Sequence, residues 1–327
     1  MRGNQVRVND RELAAILNHA VGATGAPSEI TIVGEGVIND TRLLTWPDGT
    51  RRYLQVAPSD AVAAAGPGWF TPYGLRREAA VIAAAHTLAD YLPVTVAHDF
   101  ERTVIDRDWV IQDAMRGIPL SAIDRTLDKR DRDVIWTQLG DFVRKLNAVA
   151  GTWFGAPAFG VRHGTWSGLL QSDVAALIDD AERLGYDSGP FRRLAKAVLD
   201  LEPLLALVRR PALIHSDLAR GHIFVEKDAA GWVLKGVIDL EFGRYADPLS
   251  EHLIVGFAYD NTPAEMQPAF ERGYGEFHFD PRLRQLYVAL DLAWFAPLLD
   301  MQGEPLDDLL ARLSGVLDEL DALERLA

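Results

Sequence analysis

Apolar positions along the first third of the chain fall in short β-rich runs, whereas from residue 119 onward they recur with a period near 3.6. The stretches EITIVGEGVIND, TRLLTW and RRYLQVA are three such runs, and PDGT between the last two supplies hairpin turn residues. An antiparallel meander is predicted. Ahead of it, DRELAAILNHAV (residues 10–21) places apolar residues at helical spacing behind a cap candidate, Asp10. PSDAVAAAGPGWFTPYG reads as a loop, rich in Pro, Gly and Ala. LRREAAVIAAAHTLADYL reads as one helix of several turns, with Leu75, Ala79, Ile82 and either His86 or Leu88 on a shared face. PVTVAHDF and DWVIQDA add two strands to the small sheet.

Beyond residue 119, RDVIWTQLGDFVRKLNAV, SGLLQSDVAALIDDAERLG and FRRLAKAVLDLEPLLALV carry long helical patterns. The strand candidates among them are PALIHSD with IFVEK, and WVLKGVIDL; helices then run to the C-terminus. A length of 327 residues exceeds the roughly 250–300 at which one core divides. The expectation is an α+β protein of two lobes: residues 1–113 with a small antiparallel β-sheet, and residues 114–327, mostly α-helical. No internal repeat or low-complexity tract is present.

Composition narrows the function. The absence of cysteine excludes disulfides, thiolate metal sites and a cysteine nucleophile, and fits a reducing compartment, so a cytoplasmic protein is expected. No apolar run reaches membrane-spanning length. A net charge of -14, spread along the chain, argues against nucleic-acid or anionic-membrane partners. It favours a cationic partner, or serves solubility alone. A monomer or weak dimer is expected.

The candidate chemistry lies in LIHSDLARGHIF (residues 213–224) and in VIDLEFG, which follows closely. Asp217 leaves one strand and Asp239 ends another. A hairpin between them brings both carboxylates to one edge, as acid and base, as metal ligands, or as caps of turns.

These segments, HSDLARGHIF followed by VIDLEFGRYADPLSEHL, resemble the catalytic segment of the aminoglycoside phosphotransferase and choline kinase-like enzymes. The resemblance runs from about residue 29 to about residue 260 and is most specific between 213 and 253. It implies a bilobal protein-kinase-like fold and a kinase moving the γ-phosphate of ATP or GTP to an alcohol, with Mg²⁺ as cofactor. By resemblance, Gly34, Gly36 and Asn39 belong to a phosphate loop, Glu78 is the helix Glu that pairs with a strand Lys, and backbone groups of Gln112 to Ala114 meet the nucleotide base. Asp217 is implied as catalytic base and Asp239 as metal ligand. His215 and Asp247 are read as braces of the loop.

Two positions depart from the family pattern. His222 stands where an Asn usually holds a second metal ion; it is read either as a metal-site residue or as a group that only orders the loop. Gln55 stands where the phosphate-contacting Lys is expected, and brings no charge. Arg51 shares its side of the strand with Tyr53 and Gln55 but lies roughly 13 Å away at the strand rise per residue. For the acceptor, Glu241 and Glu251 are the preferred substrate contacts among Glu241, Glu251, Asp260, Asp300, Glu304, Asp307 and Asp308, which together would make an anionic cleft. The leading reading is a resistance kinase acting on an aminoglycoside-like cationic antibiotic. The alternatives are a metabolite kinase (amino alcohol, sugar amine or hydroxy amino acid) and a non-catalytic ligand-binding protein, the last suggested by Gln55.

Overall fold

The computed structural model describes residues 7–21, 25–33, 38–68, 70–259 and 262–326. Helix α1 (Asp10–Val21) begins with a capping box set one residue earlier than Asp10. The Glu12 N–H donates to Asn9 Oδ1, and the Asn9 N–H donates to Glu12 Oε2, each at 3.0 Å. Strands β1 (Glu29–Val33), β2 (Asp40–Thr45) and β3 (Arg51–Val56) form the predicted meander. With β4 (Thr95–Asp99) and β5 (Trp109–Asp113) they make an antiparallel sheet in the order β1-β2-β3-β5-β4. Its β2–β3 turn needs Gly49, whose φ of 85° suits glycine alone without strain. Helix α1 covers one face, packing Ile16 with Leu44, Leu54, Val56 and Ile111. Alternation therefore turns Tyr53 and Gln55 to the other face, toward the second lobe.

Two expectations between these strands need correction. The stretch read wholly as loop contains α2 (Asp60–Ala65), capped by Ser59 Oγ; its alanines favour helix, and only the flanking Pro and Gly residues break it. The single long helix is in fact α3 (Gly74–Ala84) followed by a 3₁₀ turn from His86 to Tyr91. The break at Ala85 rotates the buried face onto Leu75, Glu78, Val81, Ala85 and Leu88, leaving His86 exposed and Ala79 and Ile82 only partly covered.

The second lobe contains β6 (Ile118–Pro119), α4 (Leu120–Ile123), α5 (Lys129–Ala148), β7 (Phe154–Gly155), β8 (Arg162–His163) and α6 (Trp166–Leu184). Next come α7 (Gly189–Asp200), α8 (Glu202–Leu205), β9 (Ala212–Ile214), β10 (Ile223–Asp228), β11 (Gly231–Val237) and β12 (Arg244–Ala246). The chain closes with α9 (His252–Gly256), α10 (Gln267–Tyr274), α11 (Pro281–Gln302) and α12 (Asp307–Glu324). One core joins α6, α7, α11 and α12; the other joins α5 and α10 to the β10–β11 hairpin and to Val81, Ala85 and Leu88. Close packing of α5 on α10 requires Gly140 and Gly273, since a Cβ on either would strike a backbone carbonyl, of Phe270 or Thr137. A strap from the first lobe is tied to α6: the Gly68 N–H donates to both Asp180 oxygens, at 3.0 and 2.9 Å, and Arg183 donates to the Gly66 carbonyl at 2.7 Å.

Candidate active site

A cleft of about 620 Å³ lies between the lobes, and the loop after β9 forms part of its floor. His215, fully buried, fixes that loop. Its backbone N–H donates to Glu251 Oε2 at 2.7 Å and its Nε2–H to the Ile238 carbonyl at 3.0 Å, while its Nδ1 accepts from the Asp217 N–H at 3.3 Å. Burial, with His222 nearby, pulls this imidazole down to about 3, so it is neutral and braces rather than reacts. Asp247 also braces: it accepts from the Leu249 N–H at 3.0 Å and from Tyr287 OH at 2.5 Å.

The β10–β11 hairpin, with Ile223 opposite Val237, holds Asp217 and Asp239 on one side as anticipated. Ser216 and Asp239 adopt left-handed backbone, with φ of 69° and 66°. For side chains other than glycine this costs about 1–3 kcal/mol each, strain that accumulates at functional turns. His222 sits between the two carboxylates. Its Nδ1 lies 2.8 Å from the Asp217 carbonyl, which can only accept, so Nδ1 carries the proton; Nε2 faces Asp239 Oδ2 at 3.4 Å. Ligand atoms of Asp217, His222 and Asp239 all fall within 4.8 Å of one another.

Charge accumulates around this group. Burial pushes the Asp217 carboxyl up to about 6, with His222 opposing the shift and Asp239 adding to it. Burial opposes a charge on His222, but Asp239 and Asp217 outweigh it and raise its pKa. On α3, burial and Asp239 push Glu78 up to about 7. Glu241, which fills the space left by the missing Cβ of Gly74, is raised well above the carboxylate range by burial, Asp239 and Glu78, against the pull of Arg77. Four acids thus converge, and the donor set Asp217, His222 and Asp239 suits a divalent cation.

The first-lobe wall of the cleft includes Asn39, Gln55, Glu78 and Gln112. Gln112 Nε2 donates to Glu78 at 3.2 Å, and Gln55 keeps a buried Oε1 with no partner among the described residues. Gly34 and Gly36 lie outside the described residues. The Ala114 N–H donates to the Arg51 carbonyl at 3.0 Å, and the linker residues lining the wall are Gln112, Asp113 and Met115. The Ala114 N–H is thus occupied by strand pairing with Arg51.

Residues 29–287 match the family model described as phosphotransferase enzyme family. The chain belongs to that family. A search of curated proteins found no match. Among solved structures it resembles an apo thermostable mutant of aminoglycoside phosphotransferase APH(4)-Ia, with a TM-score of 0.66, 16% identity, and 92% of this chain and 96% of that one covered. The gentamicin–APH(2″)-IIa complex aligns with a TM-score of 0.64, 16% identity, and coverage of 96% and 97%. A ternary complex of an APH(4)-Ia mutant with AMP-PNP and hygromycin B aligns at 0.64, 18% identity, and coverage of 94% and 97%. The two-lobed kinase-like architecture, an antiparallel sheet before a helical lobe, is thereby established.

In this phosphotransferase the far half of the cleft differs from the sequence expectation. Glu251 is fully buried behind the loop on the His215 N–H, away from the cleft wall; its place next to a buried helix start decided this, not its proximity to Asp239 in sequence. Asp300, Glu304, Asp307 and Asp308 are not on the wall either, and Asp260 lies outside the described residues. The residues that sequence reasoning missed are Arg77, Trp166, Arg244, His252, Asp291 and Trp294, all on the cleft wall. His252 Nδ1 meets Asp291 Oδ1 at 2.7 Å; burial opposes its charge, but Asp291 overrides this and lifts the imidazole to about 9. One signal was available: PRLRQLYVALDLAWFAPLLDMQ is apolar on more than one face, which a helix covered on one side only does not need.

Proposed function

We propose that this phosphotransferase moves the γ-phosphoryl group of ATP or GTP, bound with Mg²⁺, to the hydroxyl of a small molecule. One observation carries the reading: Asp217, His222 and Asp239 converge at the floor of a cleft whose walls come from both lobes. Asp217, its pKa near 6, is ionised at neutral pH and accepts the proton of the attacking hydroxyl. Both sequence readings of His222 are compatible here: Nδ1–H orders the loop, and Nε2, beside Asp239, would ligate a metal once that nitrogen is deprotonated. Asp239, with His222, would hold Mg²⁺, which supplies neutralisation of the donor phosphates. Asn39, Gln55, Glu78 and Gln112 form the donor side.

A second reading, nucleotide or ligand binding without transfer, is favoured by Gln55, which leaves that wall without the lysine charge. The narrower version of the first reading is a cationic, aminoglycoside-like antibiotic as acceptor and a role in resistance. Its support is the gentamicin and hygromycin B present in the neighbouring structures. A metabolite alcohol is the alternative acceptor. We place the protein in the cytoplasm, consistent with its lack of cysteine; none of the described helices is long and apolar enough to cross a membrane.

Incubation with Mg²⁺, γ-labelled ATP or GTP and a broad panel of small alcohols tests the proposal. Labelled product that needs Mg²⁺ supports transfer. Tight nucleotide binding without product across the panel selects the binding reading.

A further inference from the structure

Resting on the phosphotransferase reading, we infer that the acceptor is an uncharged, largely apolar, ring-bearing alcohol and not a polycation. The inference comes from how α11 meets the cleft. Tyr287, Leu290, Asp291, Trp294 and Leu298 recur at intervals of three and four residues and all line the cavity. Tyr287 and Leu290 are themselves buried with Leu286, Ala289, Leu292, Ala293 and Ala296 in the core behind this wall, and the half-buried Trp294, Phe295 and Leu298 present the apolar surface to the cavity. An exposed helix face is normally polar, so an apolar face on a cavity that also contains Asp217 is built to be covered by the molecule whose hydroxyl meets that base. Trp166 and Leu170, from α6, extend the apolar wall.

The charges in this half point the same way. A polycation needs unpaired carboxylates, and those near α11 are already engaged. Asp291 holds His252 at 2.7 Å and also accepts from Tyr259 OH; Asp173 holds Arg244 at 2.6 Å; Asp247 holds Tyr287 OH at 2.5 Å. Arg77 and Arg244 line the cavity as well, each with a buried Nε–H that has no acceptor among the described residues. The Asp173–Arg244 pair offers an ammonium-rich sugar no free carboxylate, and the unused Nε–H groups of Arg77 and Arg244 remain as donors for ether or carbonyl oxygens. The Arg244 guanidinium lies 5.7 Å from the Trp166 ring and 5.9 Å from the Trp294 ring, so the arginine is itself part of an aromatic wall.

Calorimetric titration of the full-length protein with a hydroxysteroid, a hydroxylated neutral macrolactone and kanamycin tests the class, alongside phosphoryl transfer to each with Mg²⁺ and ATP or GTP. Binding of a neutral alcohol at least tenfold tighter than kanamycin, weakened tenfold or more by Trp294→Ala and by Leu298→Asp, is expected. Leu298 is only partly buried, and an unchanged Tm of the second variant is measured beside its binding to separate lost contact from lost fold. Preference for kanamycin, or binding of neither neutral probe, overturns the inference. Neutral-alcohol binding that both variants weaken, without product or nucleotide turnover, upholds the acceptor class while overturning the phosphotransferase reading on which it was built.

Discussion

Gln112 Nε2 donates to Glu78 Oε2 across 3.2 Å on the same cleft wall where Gln55 Oε1 has no partner among the described residues. Glu78 is therefore satisfied by a neutral amide rather than by a strand lysine, and burial with Asp239 keeps its pKa near 7. Gln55→Lys would restore an ammonium to this wall. The expected outcome is a fall in the Glu78 pKa and an affinity for Mg²⁺–ATP about tenfold higher, roughly 1.4 kcal/mol, measured by calorimetry. Unchanged affinity would show that another cation, such as Arg77, already fills the role.

Glu251→Gln separates a structural role from a substrate role. Because Glu251 accepts the buried His215 N–H, the amide substitution disturbs a buried acceptor, a loss of about 1–3 kcal/mol that appears as a lower Tm. The acceptor KM should stay within about twofold, since Glu251 is not on the cleft wall. A large rise in KM with unchanged Tm would return Glu251 to the substrate site.

The His252–Asp291 pair makes stability depend on pH. The folded pKa of His252 is raised from 6.5 to about 9, so its contribution is fully present below 6.5 and is lost as pH climbs through 9. Glu78 and Glu251, raised from 4.5 to about 7, lose theirs earlier, as pH rises from 4.5 through 7. His215 runs the other way: depressed to about 3, its contribution is present above 6.5 and lost as pH falls toward 3. Between pH 7 and 9 the Tm of the nucleotide-free protein should fall, with His252 contributing alongside Glu241 and His222, whose pKa values are also raised. In His252→Gln the fall should be smaller; an equal fall would sink the assignment.

Much of this was legible in the chain itself, for reasons that particular residues make plain. The meander announces itself because PDGT specifies a turn and RRYLQVA alternates. HSDLARGHIF and VIDLEFG announce the floor of the cleft because the chemistry needs those groups at fixed spacing within one hairpin. What escaped depends on tertiary packing. The break at Ala85 has no proline or glycine to mark it, and the composition around α2 hides a capped helix. The Ala114 N–H is taken by strand pairing with Arg51, a contact set by tertiary register. The proposed acceptor wall is assembled from α6, β12 and α11, elements spread over more than a hundred residues of the chain. Glu251 and Glu241 are close in sequence, yet one faces the cleft and the other the core behind it.

The central claim, that Asp217 is the base of a phosphoryl transfer, is tested most directly by Asp217→Asn with nucleotide binding and transfer measured on the same preparation. The account predicts a loss of about 10²–10⁴-fold in kcat with Mg²⁺–nucleotide affinity within a few-fold of the native protein. Transfer within tenfold of native in a variant that binds nucleotide normally would contradict it.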